Sequence, residues 1–196
     1  MNAFALLERY FPDTYTFGLI LEHSKLVAAK ALKIADNLEG IQLDKQFIEE
    51  ASLLHDIGVC RTAFRNTNGN CFEPYIRHGI IGREILEEEG LPRHALVCER
   101  HIGVGLSSDD VIAQGLPLPA RDMVPLSMEE KIVSFADLFY SKNPGKIRDE
   151  KSIGEIKSEL AKFGGNKVII FEGLLKELGI LSTDGKELLI SPFIKG

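Results

Sequence analysis

His23, the adjacent pair His55 and Asp56, His78, His101 and Asp137 recur about once per predicted helix along the first three quarters of the chain. Imidazole nitrogens and carboxylate oxygens are ligands for divalent cations, and at such intervals they can converge at the centre of a helical bundle. A neighbouring His and Asp at a helix end can grip one ion together. The second oxygen of Asp56 can then reach another ion, so a bridging role suits this aspartate rather than a histidine. Two cations roughly 3.5 to 4 Å apart would polarise a phosphoryl oxygen, lower the pKa of a water between them and stabilise the departing oxygen. That chemistry implies hydrolysis of a phosphoester or phosphoanhydride.

The elements that must carry these side chains are helical. MNAFALLERYFPD reads as a short amphipathic helix ended at Pro12. From Tyr15 to Leu38 apolar residues recur at helical spacing around His23, and Gly40 punctuates the end. Asp44 is a predicted N-cap for a helix that runs to Gly58, with His55 and Asp56 in its last turn. The Asn-, Gly- and Thr-rich stretch from Val59 to Pro74 predicts a loop. A helix to about Glu89 carries His78, with Gly79 and Gly82 permitting close backbone approach. Arg93 to His101 forms the next helix, and Ser107 or Ser108 caps a short one through Ile112. The proline-rich GLPLPARDMVPLS is an extended connector, and Ser127 with Glu130 predicts a capping box for a helix through about Tyr140 that carries Asp137. Helices near Ile153–Lys162 and Lys167–Leu178 follow, and KELLISPFIKG reads as a short terminal strand or an extended tail. The fold class is all-α, with at most a minor C-terminal β element.

A chain of 196 residues, 44% hydrophobic, can bury one full core and is expected to form a single domain. The net charge of −6 argues against general binding to nucleic-acid backbones. Cys60, Cys71 and Cys98 are odd in number, form no CxxC pair and follow no secretory leader, so free thiols in a cytoplasmic protein are expected. Cys60 and Cys98 read as buried, inert thiols. No apolar run approaches the roughly 20 residues that span a bilayer, so no membrane partner is expected. His94, without a partner pattern, reads as a surface residue, and the glycines of HIGVG as a helix end and turn.

The segments HSKLVAAKALKIA, SLLHDIG, RHGIIG, CERHIGVGLS and IVSFADLF, over roughly residues 15–140, resemble the HD-domain phosphohydrolases, specifically the small HDIG type. The dipeptide HD alone says little; the ordered set H…HD…H…H…D in helical context carries the likeness. The two additional histidines mark the subgroup with two metals. By that resemblance His23, His55, Asp56 and Asp137 bind one ion, and Asp56, His78 and His101 hold the second. The chain is similar to the bacterial diadenosine tetraphosphate hydrolases and to uncharacterised HDIG proteins, with residues 141–196 as a helical extension. Many relatives carry a lysine directly after HDIG, where this chain has Val59. Arg61, whose planar fork suits bidentate oxygen contact, is expected to neutralise phosphate instead, followed by Lys142, with Arg65, Arg77 and Arg100 behind them. The GYP signature of cyclic-di-GMP phosphodiesterases is absent.

The expectation is a phosphohydrolase using two divalent ions, manganese, iron, cobalt or nickel, on a nucleotide or another small phosphorylated metabolite. Asp56, Arg61 and Lys142 are its candidate catalytic residues. One rival is a di-iron oxygenase of the HD type; another is a nucleotide-binding regulatory module that uses the ions for capture without turnover. Oligomeric state is left open.

Overall fold

The computed structural model describes residues 1–64 and 73–180. Among them are nine α-helices and no strand; the β-pairing is two isolated bridges, Thr62 with Glu73 and Leu106 with Met123. The predicted terminal strand or tail, Arg65 and Cys71 lie outside the described residues. No helix is long and apolar enough to cross a membrane among the residues described.

Asp13 opens α2 (Thr14–Asn37) by accepting from the Tyr15 and Thr16 amides, after the short α1 (Ala3–Tyr10) that Asn2 caps. Ile20, His23, Val27, Ala31 and Ile34 line one stripe of α2 and are buried. That stripe packs on α3 (Lys45–Leu54), capped by Asp44, and on α7 (Met128–Asp137). α4 (His78–Glu88) and α5 (Pro92–Arg100) form an antiparallel pair, and the short α6 (Ser108–Ala113), capped by Ser107, follows. α8 (Ile153–Leu160) and α9 (Gly165–Glu177) close the far side.

Two apolar clusters result. One joins α2, α3 and α7 to α8 and α9, with Phe135 stacked on Phe171 at 5.4 Å. The other joins α1 to α4 and α5 through Leu7, Leu54, Ile57, Ile85 and Leu86. Each fully buried Leu, Ile or Phe contributes about 1.5–3 kcal/mol, so these clusters dominate the stability of the bundle. His23 lies between Ile20 of the second cluster and Val27 of the first, at the seam between them.

Several local predictions need correction. The third helix ends at Leu54 rather than Gly58, and a 3-10 turn over Ile57–Arg61 occupies the start of the predicted loop. The cause is close packing: a Cβ on Gly58 would lie 2.0 Å from the His78 carbonyl oxygen and 2.4 Å from the Gly82 nitrogen. α7 likewise ends at Asp137 rather than Tyr140, because the Phe139 and Tyr140 amides donate to carbonyls only three residues back. Half of the predicted capping box forms there. Ser127 accepts from the Glu130 amide, but the Glu130 carboxylate accepts from the Leu126 amide and from Arg100 instead of reaching the Ser127 amide. His94 is not a surface residue. Its ring packs edge-on to Phe47 at 4.8 Å and is 9% exposed, because the α3–α5 contact covers the first turn of α5.

The Gly58 contact is a sensitive point. Gly58→Ala should cost about 1–3 kcal/mol by overpacking and displace Asp56 relative to α4. Urea unfolding would register the loss as a lower midpoint at unchanged slope; an unaltered midpoint would show that the seam yields freely.

Candidate metal centre

Five elements deliver six side chains to the seam between the clusters. His23 projects from the middle of α2, His55 and Asp56 from the junction of α3 with the 3-10 turn, and His78 from the first position of α4. His101 directly follows α5, and Asp137 ends α7. His23, His55 and Asp56 are fully buried, and His78 and His101 nearly so.

The Asp56 carboxylate is at the middle of this set and divides it in two. Its Oδ2 lies 3.4 Å from His23 Nε2 and 3.2 Å from His55 Nε2. Asp137 Oδ1 closes that side, 2.8 Å from His23 Nε2 and 3.4 Å from His55 Nε2. The other oxygen, Oδ1, faces His78 Nε2 at 3.5 Å and His101 Nε2 at 3.7 Å, while those two nitrogens stand 3.1 Å apart.

The backs of three rings are anchored in the same way. Nδ1 of His55 lies 2.7 Å from the Ser52 carbonyl oxygen, that of His78 2.7 Å from Tyr75, and that of His101 2.8 Å from Cys98. A ring that donates Nδ1–H to a carbonyl three residues earlier presents Nε2 to the centre, the arrangement that orients metal-ligating histidines. Polar atoms at the centre are short of partners. Neither Asp56 oxygen nor His55 Nε2 makes a hydrogen bond of proper geometry, an expensive condition for buried groups unless something else satisfies them.

The electrostatics fit a site built for cations. Burial by itself would raise the Asp56 carboxyl, yet His55 and Lys142 hold it well below the usual carboxylate range. Asp137 is held low against the same burial by Lys142, His23 and His55. Burial pushes His23 and His78 down, and burial with the neighbouring His55 and His78 takes His101 to about 3, so these imidazoles are neutral and able to donate a lone pair. His55 goes the other way: the Asp56 and Asp137 charges overcome burial and raise it to about 10.

Of the two expected phosphate-neutralising residues, the structure brings one to the site. Lys142 Nζ lies 2.8 Å from Asp56 Oδ2 and 3.9 Å from Asp137 Oδ1, held well above its ordinary range by those carboxylates despite burial. Arg61 ends the 3-10 turn with an exposed side chain, close enough to Tyr10 and Cys60 for its charge to act on both, and makes no described contact with the six. The tight turn after Asp56 carries residue 61 away from the seam, so by position Lys142 rather than Arg61 stands at the site. Arg77 donates to the Pro117 carbonyl and pairs with Glu73, and Arg100 pairs with Glu130, so both fasten loops. Cys98 is buried and donates to the Leu54 carbonyl, while burial pushes the half-buried Cys60 up to about 11, so neither is a ready thiolate.

Tyr75 was missed by sequence reasoning. Its ring stacks on His78 at 4.7 Å and on Phe64 at 5.5 Å, and its hydroxyl is close enough to Lys142 for the ammonium charge to act on it. Phe64, Tyr75, Ser141, Lys142 and Asn143 line an open mouth of about 370 Å³ beside the cluster. The available signal was its place three residues before His78, where a backing carbonyl is required.

A profile of the HD domain matches residues 20–140, which takes in all of the six side chains. The chain belongs to the HD-domain family. An uncharacterised protein of Methanocaldococcus jannaschii is 39% identical over 121 residues, 60% of this HD chain and 64% of that protein. A tRNA (cytidine(56)-2'-O)-methyltransferase of Picrophilus torridus is 39% identical over 120 residues, 61% of this chain and 30% of the relative. That of Thermoplasma volcanium is 32% identical over 137 residues, 69% and 35% respectively. The alignments thus span less than two thirds of each relative's length. The crystal structure of the HD domain of the L. monocytogenes phosphodiesterase PgpH superposes with a TM-score of 0.51 at 17% identity, covering 91% of this chain and 97% of that one. At such identity the likeness speaks for the fold alone.

HD domains imply divalent metal binding, and the donor set fits. His23, His55 and Asp137 offer ligand atoms within 4.8 Å of one another, as do His55, Asp56 and His101. A cation would satisfy the Asp56 and His55 atoms that make no hydrogen bond of proper geometry. Manganese or cobalt at 100 times its dissociation constant should therefore stabilise the fold by about 2.7 kcal/mol, or about 5–10 °C in Tm for a domain of this size. A melting scan with and without metal checks this, and coincident curves would refute it.

Proposed function

We propose that this HD domain is a phosphohydrolase that holds two divalent cations and acts on a nucleotide or another small phosphorylated metabolite. The observation that carries the reading is the division of the ligands by Asp56: one oxygen faces His23, His55 and Asp137, the other His78 and His101. By this reading His23, His55, Asp56 and Asp137 would hold one ion, and Asp56, His78 and His101 would hold the other. When bound, the cations would supply Lewis acidity to the phosphoryl group and acidify a water.

The chain's own groups do the rest. Asp56 fixes the spacing of the two ligand groups, and the backing carbonyls of Ser52, Tyr75 and Cys98 keep the imidazoles aimed. Lys142, at the wall of the mouth, balances the negative charge of the phosphate. Mixed imidazole and carboxylate ligation suits manganese, iron, cobalt or nickel.

The test loads the protein with manganese, iron or cobalt and follows phosphate and nucleotide release from nucleotides, dinucleoside polyphosphates, cyclic dinucleotides and sugar phosphates. Metal-dependent hydrolysis that continues without oxygen is the expected result. Turnover that stops anaerobically would favour the di-iron oxygenase, and tight nucleotide binding by loaded protein with no turnover would favour the regulatory module.

A further inference from the structure

A second cavity is lined in part by residues that adjoin the site residues in sequence. It has a volume of about 260 Å³ and is lined by Ile102, Leu138, Ile156 and Leu160, with Gln114 and Phe163 at its edge. Ile102 directly follows His101 and Leu138 directly follows Asp137, so two walls begin one residue, about 3.8 Å of backbone, from two of the six site residues. Ile76 lines this cavity while its neighbour Tyr75 lines the mouth that holds Lys142; the two spaces thus flank a single turn.

The chemistry of the lining selects an occupant. Its floor is aliphatic, and its charged groups are already engaged: Lys167 donates to the Gly105 carbonyl and pairs with Asp110, and Glu159 pairs with Lys151. A phosphate or a bare sugar would lose hydration there with no cation to replace it. A flat aromatic heterocycle loses little, since its faces are apolar and its polar edge can stay at the rim. The rim supplies the two contacts such a ring uses. Phe163 is 60% exposed, an aromatic face open to stacking, and the exposed Gln114 carries an amide that can donate to and accept from a base edge. The Lys167 latch on Gly105 also fixes one wall, so the space is formed in advance of binding.

We infer that this cavity is a nucleobase site, which receives the base of a nucleotide whose phosphate lies at the metal centre. The inference rests on the nucleotide reading given above and narrows it: the substrate carries a base, and base-free phosphates are poor ligands. Gln114 and Phe163 then determine specificity, without a part in the chemistry.

The experiment uses adenosine, which has no phosphate and so reports on the cavity whether or not the protein hydrolyses anything. Titration followed by NMR on the metal-loaded protein should give saturable binding with shifts at the Ile102, Leu138 and Ile156 methyl groups. Gln114→Ala combined with Phe163→Ala, both exposed positions that carry no fold, should weaken adenosine binding at least tenfold. Leu116→Trp, which fills the cavity from its half-buried edge, should do the same. In each variant the ratio of AMP to ribose 5-phosphate affinity should fall by a similar factor while bound metal stays at the wild-type level. No adenosine binding by wild-type protein at millimolar concentration, or equal binding by all variants, overturns the inference. Saturable binding in a protein that hydrolyses no phosphate would retain the base site and overturn the proposed reaction alone.

Discussion

Asp56→Ala is expected to reduce turnover by about 1000-fold or more, equivalent to about 4 kcal/mol of transition-state stabilisation, and to lower bound metal together with it. The size of the effect follows from position. Asp56 presents one oxygen to each ligand group, so its loss removes an oxygen from each. It also strips Lys142 of its nearest anion, leaving a buried ammonium with Asp137 at 3.9 Å. Asp56→Asn keeps the volume and one acceptor, and separates loss of charge from loss of packing. Metal content by elemental analysis, alongside kcat for both variants, makes the check. Wild-type turnover in Asp56→Ala would dispose of the bridging carboxylate, and a normal rate with one ion lost would show that a single cation suffices.

Lys142→Ala should lower kcat/KM by about 100-fold with metal content retained, whereas Arg61→Ala should change it less than about twofold. The amine sits over the carboxylate that the cations would share, at the wall of the open mouth, so substrate phosphate arriving there meets it first. Arg61 points to solvent on the α1 side. Lys142→Arg should recover only part of the loss, because a planar fork cannot reproduce a compact ammonium seated 2.8 Å from Asp56 Oδ2. Steady-state kinetics on the three variants decides the ranking. A large defect in Arg61→Ala beside a mild one in Lys142→Ala would restore the order suggested by distance along the chain.

The contrast between these two residues shows where the sequence is readable. His55 and Asp56 follow an apolar run and precede a glycine, and the caps at Asp44, Ser107 and Ser127 are visible as residue types, so these helices and their polar ends follow from local rules. Arg61 was ranked by its distance from the HD pair, but direction depends on how tightly the chain turns after Asp56. That turn is set by the approach of Gly58 to α4, a contact between segments about twenty residues apart along the chain. Lys142 reaches the site because α7 stops at Asp137 and the chain doubles back, again a tertiary effect. His94 failed for the same reason: a lone histidine in a polar first turn gives no sign of the Phe47 ring that covers it. Glu130 fitted a capping rule, and the nearby Arg100 drew it away.

The carbonyls of Ser52, Tyr75 and Cys98 carry a consequence for how the protein meets its ions. Because helix ends aim three imidazoles, the cage is finished before any cation arrives, unlike small domains whose folding waits for the metal. Chelators should strip such a protein without unravelling it. Divalent ions held there would then be expected to exchange, with the abundance of each in its surroundings, rather than an act of folding, deciding which is bound.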